Sequence, residues 1–480
     1  MYDMAAQTSG TTHGLTAAPP LARLSRLARG AGEWLRDHQR GLRRLQWFII
    51  AAYAALLFLP LLTPVPTRLS HIWTNATLFA QFAFWGIWWP FVLLSMVLMG
   101  RAWCGVFCPE GALAEFTSHR GLGRATPRWI RWKGWPFVAF AGTTIYGQMV
   151  SVYQYPKPVI IVLGGSTLAA MVIGFLYGRD KRVWCRYLCP VNGVFGLLAK
   201  LAPVHFAVDR LKWDQWRRDH DGPPPAVNCA PLVPIRTMRG GSACHMCGRC
   251  AGFRDAVAMA PRAPNHEVVA VAGDDAKPWE TALIAFGLMG LAAGAFEWTQ
   301  SPLYVAAKQW LAEWLVGHGL LWPLSPHLPW WILTNYPDQN DMMTPLDGGL
   351  MIAYVLAAAA ITGAAVYGCL ALATRALGAF DSRRFHHLAQ GLIPIAGCGV
   401  FLGLSAITVT QLRVEGLGLR WVSDVRALLL AGACLWSLWL IWSISGRYAR
   451  APLPRLACLA AGALAVGCGL IHWVMLFWIW

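Results

Sequence analysis

Residues 78–109 read LFAQFAFWGIWWPFVLLSMVLMGRAWCGVFCP. From Leu78 to Gly100 there is no charged side chain, a length sufficient for a helix to cross a hydrocarbon core of roughly 30 Å. Directly after it come Arg101, Cys104, Cys108 and Pro109. The stretch predicts a transmembrane helix that delivers a thiol-bearing turn to one membrane face.

The thiol-bearing turn occurs twice. RAWCGVFCP at 101–109 and RVWCRYLCP at 182–190 share the pattern R-x-W-C-x-x-[FL]-C-P, 81 residues apart. Each copy follows an apolar hairpin. Cysteines at i and i+4 project from the same face of a helical turn, so two packed hairpins would bring Cys104, Cys108, Cys185 and Cys189 together. Four thiolates are the usual ligand set of a [4Fe–4S] cluster. Arg101, Lys181, Arg182 and Arg186 stand beside them, and positive neighbours favour the thiolate.

A second group reads CHMCGRC at 244–250. Cys244, Cys247 and Cys250 have the C-x2-C-x2-C spacing that opens a bacterial ferredoxin run. Position 254, where a fourth cysteine would fall, is Arg254, and Cys229 is the expected fourth ligand. The remaining cysteines, Cys369, Cys398, Cys434, Cys458 and Cys468, lie unpaired in apolar spans and read as packing residues.

The whole composition agrees with a membrane chain. Of 480 residues, 56% are hydrophobic and only 13% charged, against roughly 25% charged in soluble domains. Nine spans are expected, at about 46–63, 78–100, 134–151, 157–178, 280–298, 349–373, 388–410, 425–445 and 456–478. The net charge of +17 falls mostly between spans, with no groove-reading motif, which argues against nucleic acid. Lys and Arg crowd the segments on the side of the N-terminal tail, while the opposite loops carry few, such as Arg68, Lys157 and Lys308. That bias places the N-terminus in the cytoplasm of a bacterial-type inner membrane.

The expected fold is therefore an all-α integral membrane protein of about nine transmembrane helices, with a small cytoplasmic ferredoxin-like Fe–S segment. Its parts are a basic tail at 1–45 and a four-span module at 46–203 carrying both C-x3-C-P motifs. A cytoplasmic Cys-rich segment follows at 204–279, then a five-span module at 280–480 with an external segment at 299–348. The tail is expected to be partly disordered or to lie on the membrane surface.

On Cys104, Cys108, Pro109, Cys185, Cys189 and Pro190, with Cys244, Cys247 and Cys250 in support, the chain resembles the NosR/NapH-type membrane ferredoxins, which are polyferredoxin-like. The resemblance covers roughly residues 46–260. It implies [4Fe–4S] clusters, here two, and electron transfer as a component of an oxidoreductase system. A cytoplasmic protein would donate electrons, and a quinone or a membrane or external redox partner would accept them. The chain departs from that pattern in lacking two complete ferredoxin runs and an FMN-attachment domain before its first span, and in adding a C-terminal membrane module.

Other readings stay open on the residues alone. The cysteines could hold structural zinc in a membrane scaffold. His318, His327, Asp338, Asp341, Met342, Met343 and Asp347 could bind copper, which would suit an accessory protein for copper reduction or for maturation of an oxidase or reductase. His245 reads as a bystander among the ligands. His472 has no partner at a readable spacing, and the spans show no chain of intramembrane charges.

Overall fold

Hydrocarbon offers no partner to a free backbone amide, so spanning segments must close their hydrogen bonds internally. The apolar blocks of this chain do so as helices. The computed structural model describes residues 19–480 apart from 68, 221, 223–225 and 276. Residues 1–18 of the basic tail, and Arg68, lie outside the described residues.

Eight described helices are long and apolar enough to cross a membrane: Gln39–Leu62, Ala76–Met99, Pro156–Tyr177, Pro278–Glu297, Pro345–Ala376, Ser382–Val414, Val422–Ser445 and Pro452–Ile479. The segment expected at 134–151 is a shorter helix, Trp135–Met149, of 15 residues. At 1.5 Å per residue it rises only about 22 Å. It still joins the two faces, because turns extend it at both ends. Trp132 packs edge-on against Trp279 at one end, and Thr334 N donates to Met149 O at 2.8 Å at the other. The chain is a multi-pass membrane protein.

Cross-links between loops sort the helix ends onto two faces. On the thiol face Lys200 pairs with Glu280 at 2.6 Å and also bonds Gln390, and Arg383 reaches Asp274. On the opposite face Tyr155 Oη donates to Asp341 Oδ2 at 2.7 Å, Lys308 pairs with Asp347 at 2.5 Å, and His71 meets Glu415 at 3.0 Å.

Pro278–Glu297 is the central helix, with 72% of its apolar window buried. Small residues let it sink in. A Cβ on Gly290 would lie 2.7 Å from Ala359 Cα, and one on Gly294 would lie 2.8 Å from Ala358 Cβ. This G-x3-G face therefore packs backbone to backbone on Pro345–Ala376, a contact that membrane helices use in the absence of a hydrophobic drive between them.

Outside the spans, Val204–Val208 and Val257–Pro261 pair antiparallel with Phe206 opposite Met259. Phe206, Trp213, Met246, Val257 and Met259 form a second, small core there. The tail helix Pro19–Asp37 covers this sheet. A Cβ on Gly32 would come within 2.9 Å of Met259 Cβ, and Arg36 Nη1 donates to Ala251 O at 3.1 Å. For residues 19–37 the expectation of a disordered or surface-lying tail is corrected. Gly32, Leu35 and Arg36 of this helix meet the Cys-rich segment, while Leu24, Leu27 and Trp34 stay exposed.

A buried ion pair holds the loop that leads into the second cysteine group. Arg262 and Glu267, 4% and 3% exposed, pair with each other, and Glu267 accepts from Gly241 N at 2.7 Å and Ser242 N at 3.3 Å. Removing one partner of a buried pair leaves an uncompensated charge and costs about 3–5 kcal/mol. Glu267→Ala should lower the thermal midpoint followed by far-UV circular dichroism, whereas Asp214→Ala, which cuts an exposed pair with Arg236, should leave it nearly unchanged.

Candidate metal centre

Both copies of the repeat fold as short helical turns that end shortly before their prolines. Trp103–Phe107 is a wide, π-type turn and Val183–Tyr187 an α-turn. Cys108 then caps the helix Pro109–His119, with its sulfur accepting from Gly111 N at 3.3 Å. The sulfurs of Cys104, Cys108, Cys185 and Cys189 line one end of a single cavity. They lie close enough that charge on one raises its neighbours' thiols.

Cys229, Cys244, Cys247 and Cys250 gather in the same way. Cys244 and Cys250 each sense both Cys247 and Cys229. Backbone N–H groups point at sulfur here too, from Met246 to Cys244 at 3.4 Å and from Val233 to Cys229. The eight sequence-selected cysteines thus fall into two groups of four. The five others stay in the helices of the C-terminal module, free and separate from both groups.

The two groups touch through one glycine. A Cβ on Gly105, between Cys104 and Cys108, would stand 2.0 Å from His245 O and 3.0 Å from Cys247 N. The first residue of the spanning helix Gln39–Leu62 clamps the same loop, with Gln39 Nε2 donating to Cys247 O at 2.9 Å. Gly248, at φ +77, turns against Leu35.

Cations fill the space around the contact. Arg182, 2% exposed, donates through Nε to Glu115 Oε2 at 2.7 Å and through Nη1 to the Cys104 carbonyl. Arg249 takes the other Glu115 oxygen at 2.6 Å. Burial alone would push the Glu115 carboxyl up, but the two guanidinium groups outweigh it and hold the carboxyl below its ordinary range. Arg101 Nη1 donates to Ser242 O at 3.1 Å and Nη2 to Asn192 Oδ1 at 2.8 Å. Glu115, and Glu110 lining the cavity beside the thiols, were not singled out from the sequence. Their only signal there is position, two and seven residues after Cys108.

The donor chemistry fits an iron–sulfur cluster. Burial pushes the Cys185 and Cys244 thiols up to about 12 and raises Cys108, Cys189, Cys229 and Cys250 as well, so ligation must displace protons. Arg101 Nε and His245 Nδ1 are buried without a protein partner, and sulfide or thiolate would supply acceptors. Burial and the nearby arginines push the His245 imidazole down, which keeps it neutral. Four of the seven copper candidates have other partners: Asp347 caps its helix with Thr344 and pairs with Lys308, Asp341 accepts from Tyr155, and the rings of His318 and His327 each bond a nearby backbone carbonyl.

From the thiols the cavity, about 240 Å³, runs between the spans. Its walls are aromatic, with Trp85, Trp88, Trp89, Phe140 and Tyr153, and its polar lining includes Thr143, Thr144, Gln148, Tyr53 and Ser166. Phe296, Val400 and Leu404 of later spans close it.

In its thiol-bearing membrane part the chain is similar to 4Fe-4S proteins of the polyferredoxin-like kind. A family model described as a 4Fe-4S binding domain, Fer4_5, matches residues 81–133 and 161–209, and each segment holds one copy of the repeat. The chain is 30% identical over 131 residues to the methylamine utilization ferredoxin-type protein MauN of Methylorubrum extorquens, covering 25% of this chain and 45% of that protein. It is 25% identical over 242 residues to YccM of Escherichia coli, named for electron transport, covering 44% and 66%. MauN of Paracoccus denitrificans is 24% identical over 123 residues, covering 23% and 44%. The match thus spans less than two thirds of each relative's own length. No solved structure matches the chain.

Gly105→Ala should lower bound iron and sulfide together, because its methyl group forces the two cysteine loops apart while all eight thiols remain. Gly142→Ala, where a Cβ meets nothing within 4 Å, is the control. Equal iron content in the two variants would mean the contact is slack.

Proposed function

We propose that the chain is an electron-transfer protein of the NosR/NapH type that holds two [4Fe–4S] clusters. One is held by Cys104, Cys108, Cys185 and Cys189, and the other by Cys229, Cys244, Cys247 and Cys250. It exchanges electrons between a soluble donor and a quinone in the membrane. The observation that carries the reading is the contact of the two four-thiol groups at Gly105, with the first group opening onto an aromatic cavity among the spans.

Bound at these thiols, [4Fe–4S] clusters supply one-electron redox chemistry. The chain's own residues do the rest. Gly105 and His245 hold the groups together, and Arg101, Arg182 and Arg249 offset the anionic charge that four thiolates bring. The cavity supplies the membrane-side site. A dry cavity of about 150 Å³ takes benzene, so one of about 240 Å³ accommodates a substituted six-membered ring. Indole walls with a few polar groups suit a quinone head better than a charged substrate.

The domain assignment follows the same lines. Residues 46–203 form the cluster-bearing membrane module, 204–279 the Cys-rich segment clamped by the tail, and 280–480 the module that closes the cavity. Basic residues crowd the thiol face, including Arg120, Arg124, Arg128, Arg131, Arg383 and Arg447, which supports a cytoplasmic thiol face in a bacterial inner membrane. The soluble donor would dock there.

Anaerobically purified protein should carry about eight iron and eight sulfide per chain, with cubane EPR signals after reduction. Cys185→Ser and Cys229→Ser should each remove about half of the iron, and should remove different signals. Zinc in place of iron and sulfide would overturn the reading. Decylubiquinone should quench the tryptophan fluorescence of the wild type, and Leu404→Trp, which fills the cavity, should abolish saturable quenching without loss of iron.

A further inference from the structure

The C-terminal module contains a polar group that electron transfer does not use. Glu297, 1% exposed, ends the central helix Pro278–Glu297 toward the face opposite the thiols. Its carboxylate oxygens lie 3.0 and 2.9 Å from His472 Nδ1. The other ring nitrogen, Nε2, lies 2.7 Å from Thr362 Oγ1. Three separate spans thus meet in one carboxyl–imidazole–hydroxyl chain. His472, which has no partner at a readable spacing in the sequence, finds both of its partners on distant segments. Tyr354 is the other titratable side chain that faces Glu297, and among the described residues no Lys or Arg pairs with Glu297 or His472.

A buried carboxyl inside a membrane is costly and marks a proton or ion route by default. A cation route would want several carbonyl or carboxylate oxygens around one point. Here the carboxylate faces an imidazole, a pairing that carries a proton. Neither residue of the pair lines the cavity, but their chain neighbours lead to it. Phe296, next to Glu297, lines the cavity and packs on Trp473 with ring centroids 5.9 Å apart. Trp298, on the other side of Glu297, donates from Nε1 to Gln148 Oε1 at 3.1 Å, and Gln148 lines the cavity too. The thiols occupy one part of this cavity and the Glu297–His472 pair adjoins another.

We propose that Glu297 and His472 form the proton-exchanging site for a quinone held in the cavity, and that this site communicates with the face opposite the thiols. The inference rests on the quinone reading. Converting a quinone to its quinol takes two electrons and two protons, and forms two O–H bonds as both C=O groups become C–OH. Iron–sulfur donors supply the electrons singly. Each proton leaves the Glu297–His472 pair and is replaced from water on the nearby face. Quinol oxidation returns both protons by the same route.

Glu297→Gln removes the ionisable group and keeps its shape, and Glu297→Asp keeps the carboxyl. Thr362→Val cuts only the hydrogen bond to His472. Iron and sulfide content and decylubiquinone quenching should match the wild type in all three. The rate of decylubiquinone reduction by the pre-reduced protein should fall at least about tenfold in Glu297→Gln, as expected for a lost acid–base group, and should lose its dependence on pH. Glu297→Asp should recover most of the rate, and Thr362→Val should shift the pH midpoint. Infrared difference spectra across a pH step should show a carboxyl band in the wild type that Glu297→Gln lacks. A wild-type rate and pH profile in Glu297→Gln with quenching intact would overturn this inference alone. If Glu297→Gln cannot be purified, an unshifted midpoint in Thr362→Val would do the same. A wild type that does not bind decylubiquinone would overturn the quinone reading and this inference with it.

Discussion

The backbone at Gly105 lies so close to His245 that a single methyl group would overlap the carbonyl. That contact fixes the geometry of everything around it. The loop of one membrane hairpin cannot approach the Cys-rich segment this way unless both are held from behind. The hairpin is held by Arg182, which bonds the Cys104 carbonyl and Glu115 at once. The Cys-rich loop is held by the tail helix through Arg36, by the start of the first span through Gln39, and by Glu267, which bonds the amides that precede Cys244. Loss of any one support loosens a contact with no slack to absorb the change, since packed interiors transmit strain.

Charge explains why such a crowded junction is arginine-rich. Arg182 is fully buried and Arg101 nearly so, a placement that costs several kcal/mol per ion without compensation. Glu115 compensates Arg182 and Arg249 together, but it carries one charge against two. The excess positive charge is tolerable only next to an anionic neighbour. Four thiolates on a cluster would provide one, and burial of the guanidinium groups and ligation at the thiols would then stabilise each other. Backbone N–H groups aimed at Cys108 and Cys244 act in the same direction and lower the cost of charge on sulfur.

The spans and the doubled cysteine motif were legible because each rests on local spacing: unbroken apolar runs, and two thiols one helical turn apart. Cys229 was legible by elimination, being the remaining cysteine near the run at 244–250. The docking of the tail helix was not legible because it depends on contacts more than 200 residues away, such as Gly32 on Met259 and Arg36 on Ala251. The G-x3-G of Gly290 and Gly294 was legible and went unread. Glu297 and His472 were illegible for a physical reason. They lie 175 residues apart on helices that meet only through tertiary packing, and no periodicity links them.

The position of that pair bears on the energetics of the proposed reaction. The thiols follow the ends of Ala76–Met99 and Pro156–Tyr177 on one face, while Glu297 closes a helix of 20 residues that starts on the same face. At 1.5 Å per residue the helix places Glu297 about 30 Å away, the thickness of the hydrocarbon core. On the proposed reading, electrons enter the cavity from the thiol side and protons from the other. Their meeting at one quinone then moves charge across the membrane, worth about 2.3 kcal/mol per charge at 100 mV. A protein that drew both from the thiol face would move none. The central helix and its small-residue seam thus do more than close the cavity, because they set the distance between the electron source and the proton source.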